Sequence, residues 1–312
     1  MKANETFASI YYMIVSVCLR GAESTEELNR RTGQRIKALP GGASFRIDLS
    51  DGILPTPGCR RVYPHVAAAE TAWCLLGHNH VDWLRTHTEV WDQFADARDC
   101  VECEGRGDRQ DFSASMDNRY TCENCRGTGK TYWLEQAYGW RWRAKFGIDQ
   151  LAVGLQRLRD DPSDRRVWIS SWDPGEDIVP QDQKTVPCPV GFTLSVMAGR
   201  LNSALMIRSS DLYMGLPYDV MRHCLVMAAC AASLEVKPGI ARFTLAHPHL
   251  YESNWQDASQ MLAQKLVAPK LELPTTPDNV IMADPDKYVN DMRAAASKFE
   301  WPTFRGQSGV VA

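Results

Sequence analysis

A cysteine between two prolines, Pro187-Cys188-Pro189, opens the stretch of this chain best suited to chemistry. The same stretch contains an Arg208-Ser209 pair and a glycine turn that ends at Asp219. A thiolate is a strong nucleophile, and neighbouring arginines lower the pKa of a thiol. Guanidinium and hydroxyl groups suit a dianionic phosphate because both donate hydrogen bonds. Together these residues could attack the base of a nucleotide covalently: the thiolate would bond to the base, the Arg208-Ser209 pair would hold the phosphate, and Asp219 would hydrogen-bond to the edge of the base.

Glu70 is a second candidate, because it stands inside an otherwise apolar helix predicted over His65–Leu76 and ended by Gly77. A buried carboxylate is costly unless it is paired or functional. Burial should raise the pKa of Glu70 toward neutrality, which suits proton transfer.

Four cysteines form two C-x-x-C pairs, each continued as C-x-x-C-x-G-x-G: Cys100, Cys103, Cys122 and Cys125. The 18 residues between the pairs fall within the spacing of four-cysteine zinc sites. Each half resembles the zinc-binding repeats of DnaJ-type chaperones. We therefore expect a closed, structural Zn²⁺ site in an insertion at 99–131, within a catalytic domain made of 1–98 and 132–312.

The elements expected to position these groups mix helices and strands. We predict a buried N-terminal helix over 7–19, a loop over 23–35, a strand over 43–49 and helices over 149–159 and 218–234. Further strands are expected at 167–172, 192–196 and 201–207. This order favours an α+β fold over a regular βαβ series.

Composition is that of a globular protein, with 44% hydrophobic residues and a formal net charge of -3 in 312 residues. That balance argues against nucleic-acid binding over a broad basic face. The apolar run at 7–19 is too short to span a bilayer, so we expect no membrane association. A cytoplasmic protein is predicted, in the host cytoplasm if it is phage-encoded. Five other cysteines are expected to be buried thiols: Cys18, Cys59, Cys74, Cys224 and Cys230.

Taken together, the motifs between Arg31 and Trp255 resemble the thymidylate synthase / deoxycytidylate hydroxymethylase family, with a gap at the cysteine-rich insertion. The resemblance implies a mixed β-sheet flanked by helices and a homodimer. It implies that Cys188 attacks C6 of a pyrimidine nucleotide, so that C5 takes a one-carbon unit from 5,10-methylenetetrahydrofolate. Glu70 matches the general acid/base, which acts through ordered water.

The resemblance also assigns the remaining site residues. Arg31, Arg208 and Ser209 match phosphate ligands, and Arg165-Arg166 match the pair that reaches the partner subunit's phosphate. The other matches are Tyr138 and Trp91 for the ring and folate pocket, Asp211 for the pterin, Gly215 for close backbone approach to the base, and His249 and Tyr251 for the sugar 3′-hydroxyl.

Asp219 is where the chain departs from thymidylate synthases, which have asparagine there to match the N3–H donor and O4 acceptor of uracil. Cytosine reverses both groups, and a carboxyl group fits if a proton lies between one oxygen and N3. That proton could sit on Asp219 or on N3. Asp219 therefore predicts dCMP as substrate, as in the bacteriophage dCMP hydroxymethylases; a helix-capping aspartate is the alternative.

Several alternatives stay open. Water addition would give hydroxymethyl-dCMP, hydride from the folate would give methyl-dCMP, and dUMP would make the protein a thymidylate synthase. A protein of another class would be a silent scaffold that carries a zinc docking module. Pro189 and Ile207 stand where the family commonly has histidine and glutamine, and the C-terminal residues 309–312 only loosely resemble the family's closing tail.

Overall fold

The fold is described from a computed structural model that covers residues 3–30, 32–110, 119–179 and 184–306. The helices are α1 (Ala3–Arg20), α2 (Pro64–Leu76), α3 (Tyr138–Arg143), α4 (Gln150–Asp160), α5 (Pro174–Asp177), α6 (Gly215–Ser233), α7 (Trp255–Leu262), α8 (Asp278–Ala283) and α9 (Pro285–Ala296). In the described part of the chain, no helix is both long and apolar enough to cross a membrane.

The strands are β1 (Thr25–Asn29), β2 (Gln34–Ala38), β3 (Ala43–Asp48), β4 (Asp96–Asp99), β5 (Asp108–Gln110), β6 (Arg119–Thr121), β7 (Lys130–Trp133), β8 (Trp168–Ser170), β9 (Pro189–Met197), β10 (Arg200–Ile207), β11 (Ser210–Asp211), β12 (Lys237–Leu245) and β13 (Pro248–Tyr251). Mixed sheets flanked by helices confirm the predicted α+β fold.

A five-stranded sheet in the order β3-β12-β10-β9-β8 forms the centre of the molecule. Its β10–β12 pair is parallel and its other pairs are antiparallel. Side chains alternate between the two faces of a strand, and one face of this sheet is buried beneath α6. The buried face includes Phe45, Ile47, Phe192, Leu194, Leu205, Phe243 and Leu245.

A four-stranded sheet in the order β1-β2-β13-β11 lies beside the first one. The prediction of a loop over residues 23–35 is wrong, because β1 and β2 form an antiparallel hairpin there. Four of the five residues of β1 are exposed. An edge strand with solvent on both faces needs no apolar alternation, so the pattern that marks a strand is missing.

Helix α6 is the buried centre of the helical layer, and α2 packs against both α6 and α9. Helix α6 begins at Gly215, three residues before the predicted start, and has Pro217 in its first turn, where proline is tolerated. Gly77 ends α2 as predicted, in the left-handed conformation. The five predicted buried thiols are buried, and burial raises the pKa of Cys18, Cys59 and Cys74 to about 12. These thiols are therefore poor nucleophiles.

Arg141 links α3 to the segment around α5 through a fully buried ion pair. Its Nη1 donates to Asp177 at 2.5 Å and to the Ser171 carbonyl at 2.8 Å, and its Nη2 donates to Asp177 at 3.1 Å. Both side chains are 0% exposed. Because α3 begins at Tyr138, this pair anchors a helix that starts at the wall of the main cavity.

We expect Arg141→Met to lower the free energy of unfolding by about 3–5 kcal/mol, because it leaves a buried carboxylate without its partner. The measurement is urea denaturation at matched protein concentration. Lys287→Met is the control: it breaks the exposed Lys287–Asp291 pair and should leave the free energy of unfolding nearly unchanged, because an exposed ion pair contributes little to stability. Equal losses for the two variants would contradict the anchoring role of Arg141.

Candidate active site

A cavity of about 1110 Å³ opens beside the buried helix α6. Its wall combines ends of strands, the first turns of α6, one face of α2 and the segment Thr88–Phe94. Most of the side chains proposed from the sequence line it: Glu70, Trp91, Tyr138, Cys188, Arg208, Ser209, Asp211, Gly215, Asp219, His249 and Tyr251. The fold thus brings together residues that are up to 181 positions apart in the chain (70 to 251).

Cys188 lies half-buried at the cavity wall, immediately before β9. Arg208 holds this loop: its Nε donates to the Pro187 carbonyl at 2.8 Å and its Nη2 to the Val186 carbonyl at 2.9 Å. The amide of Arg208 donates to the Cys188 carbonyl at 2.9 Å. Because β9 and β10 are antiparallel neighbours, the start of β9 and the end of β10 meet, which sets a thiol beside a guanidinium.

Glu70 projects from α2 into the cavity wall and is only 5% exposed. The indole Nε1 of Trp91 donates to its Oε1 at 2.6 Å, and Nη1 of Arg222 lies 3.5 Å from its Oε2. Burial raises the pKa of Glu70, while Arg222 and the Trp91 hydrogen bond act in the opposite direction. The direction agrees with that expected from the sequence.

Asp219 lies one turn before Arg222 on α6, and Nη2 of Arg222 donates to its Oδ1 at 2.5 Å. The Arg222 guanidinium also lies 4.8 Å from the ring centroid of Tyr138. Burial raises the pKa of Asp219 above its ordinary value, although Arg222 acts in the opposite direction. Sequence reasoning missed Arg222, although a charged residue in an apolar helix is the same signal that identified Glu70.

Asp211 caps the turn that leads into α6, since its Oδ1 accepts from the amides of Tyr213 at 2.9 Å and Met214 at 3.1 Å. Parallel pairing of β11 with β13 sets Asp211 opposite His249. Nδ1 of His249 donates to the His247 carbonyl at 3.1 Å, because a carbonyl only accepts. The His249 ring meets that of Tyr251 edge-on at 5.0 Å. This part of the wall therefore offers ring nitrogen, phenol and carboxylate groups.

Three arginines that no sequence motif indicated also line the cavity: Arg60, Arg61 and Arg305. Arg60 donates to the Tyr213 carbonyl and lies 4.6 Å from the Tyr213 ring centroid. With Arg208 and Arg222 they make five arginines in a wall that also contains five carboxyl groups, so the cavity offers guanidinium donors for an anionic group without being cationic overall.

The other proposed arginines do not line this cavity in the described structure. Arg165 and Arg166 are exposed just before β8, and the Arg166 amide donates to Asp164 Oδ1 at 2.8 Å. Arg31 lies outside the described residues, although Asn29 before it lines the cavity. Residues 309–312 also lie outside them. Pro189 and Ile207 are buried partners in the β9–β10 ladder.

A second candidate site lies in the insertion, where the Sγ atoms of the four paired cysteines all lie within 4.8 Å of one another. The amide of Gly107 donates to Cys103 Sγ at 3.2 Å and that of Gly129 to Cys125 Sγ at 3.3 Å. Both glycines have positive φ, and a Cβ on either would collide with a carbonyl oxygen of the other C-x-x-C-x-G-x-G half. The cluster is compatible with a four-thiolate zinc site, because such donors favour Zn²⁺ and amide donors stabilise thiolates.

The comparison with known families agrees with this geometry. The family model described as Thymidylate synthase matches residues 10–293, which include every described side chain of the main cavity except Arg305 and Gly306. The match spans most of the chain and both sides of the insertion. The chain belongs to the thymidylate synthase family, whose members use a folate to modify C5 of a pyrimidine nucleotide.

Proposed function

We propose that this protein is a deoxycytidylate 5-hydroxymethyltransferase, which converts dCMP and 5,10-methylenetetrahydrofolate into 5-hydroxymethyl-dCMP and tetrahydrofolate. The observation that carries the proposal is the carboxylate of Asp219, held by Arg222 in the wall that also contains Cys188. Family membership supports the folate-dependent chemistry at C5, and Asp219 supports the choice of cytosine.

In the proposed reaction, the Cys188 thiolate adds to C6 of the base and the electron pair moves to C5. C5 then attacks the methylene carbon of the folate, which forms the new C–C bond. Loss of the C5 proton and departure of tetrahydrofolate leave a methylene group on C5. Water adds to that carbon, and elimination of the thiolate from C6 restores the ring. Glu70 is the group that moves protons, since its buried carboxyl has a raised pKa.

The cytosine edge supports this substrate because it carries an N4 amine where uracil has O4. One carboxylate oxygen of Asp219 accepts from N4, while a shared proton joins the other oxygen to N3. Arg208 and Ser209 would hold the phosphate near Cys188, and His249 and Tyr251 the sugar hydroxyl. Trp91, Tyr138, Asp211 and Gly215 would form the base and folate pocket.

Water rather than hydride as the final acceptor follows from resemblance to the cytosine-modifying members of the family. The methylating alternative would oxidise tetrahydrofolate to dihydrofolate, and a thymidylate synthase would use dUMP in place of dCMP. Both products differ in mass from 5-hydroxymethyl-dCMP, and dihydrofolate has its own absorbance.

The first test is incubation of the protein with methylenetetrahydrofolate and dCMP, dUMP or CMP, followed by mass analysis of the products. We expect hydroxymethyl-dCMP without dihydrofolate formation. Cys188→Ala should abolish turnover, because the covalent step loses its nucleophile, with a fall of at least about 10³-fold. Cys59→Ala is the matched control, since Cys59 is a buried thiol outside the cavity wall.

Asp219→Asn should shift the preference from dCMP toward dUMP, because an amide matches the N3–H and O4 of uracil.

Turnover of dCMP that survives Cys188→Ala would contradict the proposed function. Formation of 5-methyl-dCMP together with dihydrofolate would instead support the methylating alternative.

We also propose a homodimer in which Arg165 and Arg166 reach the partner's phosphate site. The outer face of the five-stranded sheet supports this, because it exposes apolar side chains: Trp168 is 49% exposed, Met206 38% and Ile240 37%. Arg165 and Arg166 precede Trp168 on the same edge. A symmetric pair formed through this face would cover the apolar groups and bring the two arginines toward the other subunit.

Subunit mixing tests that arrangement. Cys188→Ala and an Arg165→Ala/Arg166→Ala variant should each be inactive alone, and equal mixing with exchange should restore about a quarter of wild-type turnover. Half of the dimers would be mixed, and one of their two sites would then have both Cys188 and intact arginines. Mixtures no more active than their parents would contradict arginines donated across the interface.

We propose further that residues 99–131 form a zinc-stapled insertion in the catalytic domain of 1–98 and 132–312. The four thiols would hold Zn²⁺ and replace the core that so short a segment lacks. Strand pairing of Asp99 with Lys130 closes the stem of this insertion. The proposed role is structural, because four thiolates leave no open coordination position.

We expect about one Zn²⁺ per chain by elemental analysis. Cys103→Ser should lose most of the metal, while Cys230→Ser, at a buried thiol outside the cluster, should retain it. Replacement of residues 100–129 by an Asn-Gly turn keeps the β4–β7 stem, since Asp99 and Lys130 face each other. Retained dCMP turnover in that variant would favour a docking role for the insertion. Full zinc content in Cys103→Ser would contradict the site.

A further inference from the structure

Arg222 is a buried cation between two carboxylates in the wall of the main cavity. It is 5% exposed, and its guanidinium lies closer to Asp219, at 2.5 Å, than to Glu70, at 3.5 Å. The rest of α6 from Val220 onward is mostly buried and apolar. A buried arginine is costly to desolvate, so its two partners define what it does there.

The protonation state of Asp219 decides which bases it can read. A neutral carboxylic acid has one O–H donor and one C=O acceptor. It matches cytosine, with O–H to N3 and C=O from N4, and it matches uracil equally, with O–H to O4 and C=O from N3–H. An ionised carboxylate only accepts. It matches cytosine protonated at N3, which offers two donors, and it repels the O4 lone pairs of uracil.

We propose that Arg222 is a specificity-determining residue, because it keeps Asp219 ionised. An ionised Asp219 has no O–H to donate to O4 of uracil, so the site selects cytosine. This inference rests on the proposed function, since it explains how the same cavity selects dCMP. It places the shared proton on N3 of the bound base, where positive charge also favours attack by the Cys188 thiolate at C6.

The surroundings of Asp219 leave this task to Arg222. Burial, and to a smaller extent the charge of Asp211, raise the pKa of Asp219 above its ordinary value, and Arg222 opposes this rise through its charge and its hydrogen bond at 2.5 Å. The titratable groups that act on the Asp219–Arg222 pair come from four elements: Glu70 and Cys74 on α2, Tyr138 on α3, Asp211 on β11 and His223 on α6. Burial lowers the pKa of His223 to about 3, so that ring adds no positive charge. In this set Arg222 is the cation that offsets the acidic groups.

A proton count follows from the proposal. Free dCMP is not protonated at N3 in neutral solution, so its complex with an ionised Asp219 must take up a proton. If Asp219 already carried the proton in the free protein, binding would take up none. The number of protons taken up therefore reports the state of Asp219 before binding, and a purely structural role of Arg222 would not move it.

The experiment is calorimetric titration of the full-length protein with dCMP at pH 7.5, in buffers of different ionisation enthalpy. Wild type should take up about one proton per dCMP, and Arg222→Gln less than about half a proton. Arg222→Lys keeps the cation and should stay near the wild-type count. Asp219→Asn should take up none. In parallel, the dCMP/dUMP ratio of kcat/KM should fall by at least about tenfold in Arg222→Gln, and less in Arg222→Lys.

An unchanged proton count and an unchanged dCMP/dUMP ratio in Arg222→Gln would overturn the inference, as would proton uptake that persists in Asp219→Asn. If Arg222→Gln does not fold, Arg222→Gln/Glu70→Gln removes one buried carboxylate with the guanidinium, and the same binding measurement decides. Failure of wild type to bind dCMP would instead count against the proposed function, so the two failures are distinguishable.

Discussion

The buried ion pairs of Arg222 with Asp219 and Glu70 are the constraint on which the rest of the site depends. The Arg222–Glu70 pair, at 3.5 Å, joins α6 to α2 in the core, and the Arg222–Asp219 pair, at 2.5 Å, lies within α6. A buried charge without a partner costs several kcal/mol. The two helices must therefore pack in one arrangement, and this arrangement fixes the positions of the cavity residues that they carry. Trp91 also holds Glu70, because its indole N–H donates to the carboxylate oxygen that Arg222 does not contact. The carboxylate proposed to move protons is thus held by two donors from packed elements.

The proposed nucleophile, Cys188, is held in place differently. Cys188 stands on a loop, and Arg208 holds that loop through the carbonyls of Val186 and Pro187. A phosphate bound at Arg208 would therefore be linked to the backbone that carries the sulfur. Pro189 and Ile207 fill the neighbouring ladder with buried apolar groups where the family commonly has polar ones. The charged contacts in this wall are instead made by Arg222, whose guanidinium reaches both carboxylates.

Sequence reasoning identified what is local and missed what depends on assembly. Cys188, Asp219 and Glu70 were found because a motif or an isolated charge marks each of them, and α2 and α6 because apolar residues dominate them. Strand β1 was missed since both of its faces meet solvent. Arg60, Arg61 and Arg305 carry no motif; only the folded chain brings them to one cavity. Arg165 and Arg166 do not line the cavity of their own chain, and their proposed role, at the phosphate site of a second subunit, comes from the family resemblance alone.

The insertion is joined to the catalytic wall rather than to a remote surface. The strand that leads into it, β4, begins two residues after Phe94, the last residue of the cavity segment that contains Trp91. Lys184 fastens the junction, since its Nζ donates to the Ala95 carbonyl and pairs with Asp96, both at 2.8 Å. Strand pairing between β4 and β7 connects the cysteine cluster to that junction. The cysteine cluster is thus connected, through β4, to the segment whose Trp91 donates a hydrogen bond to Glu70.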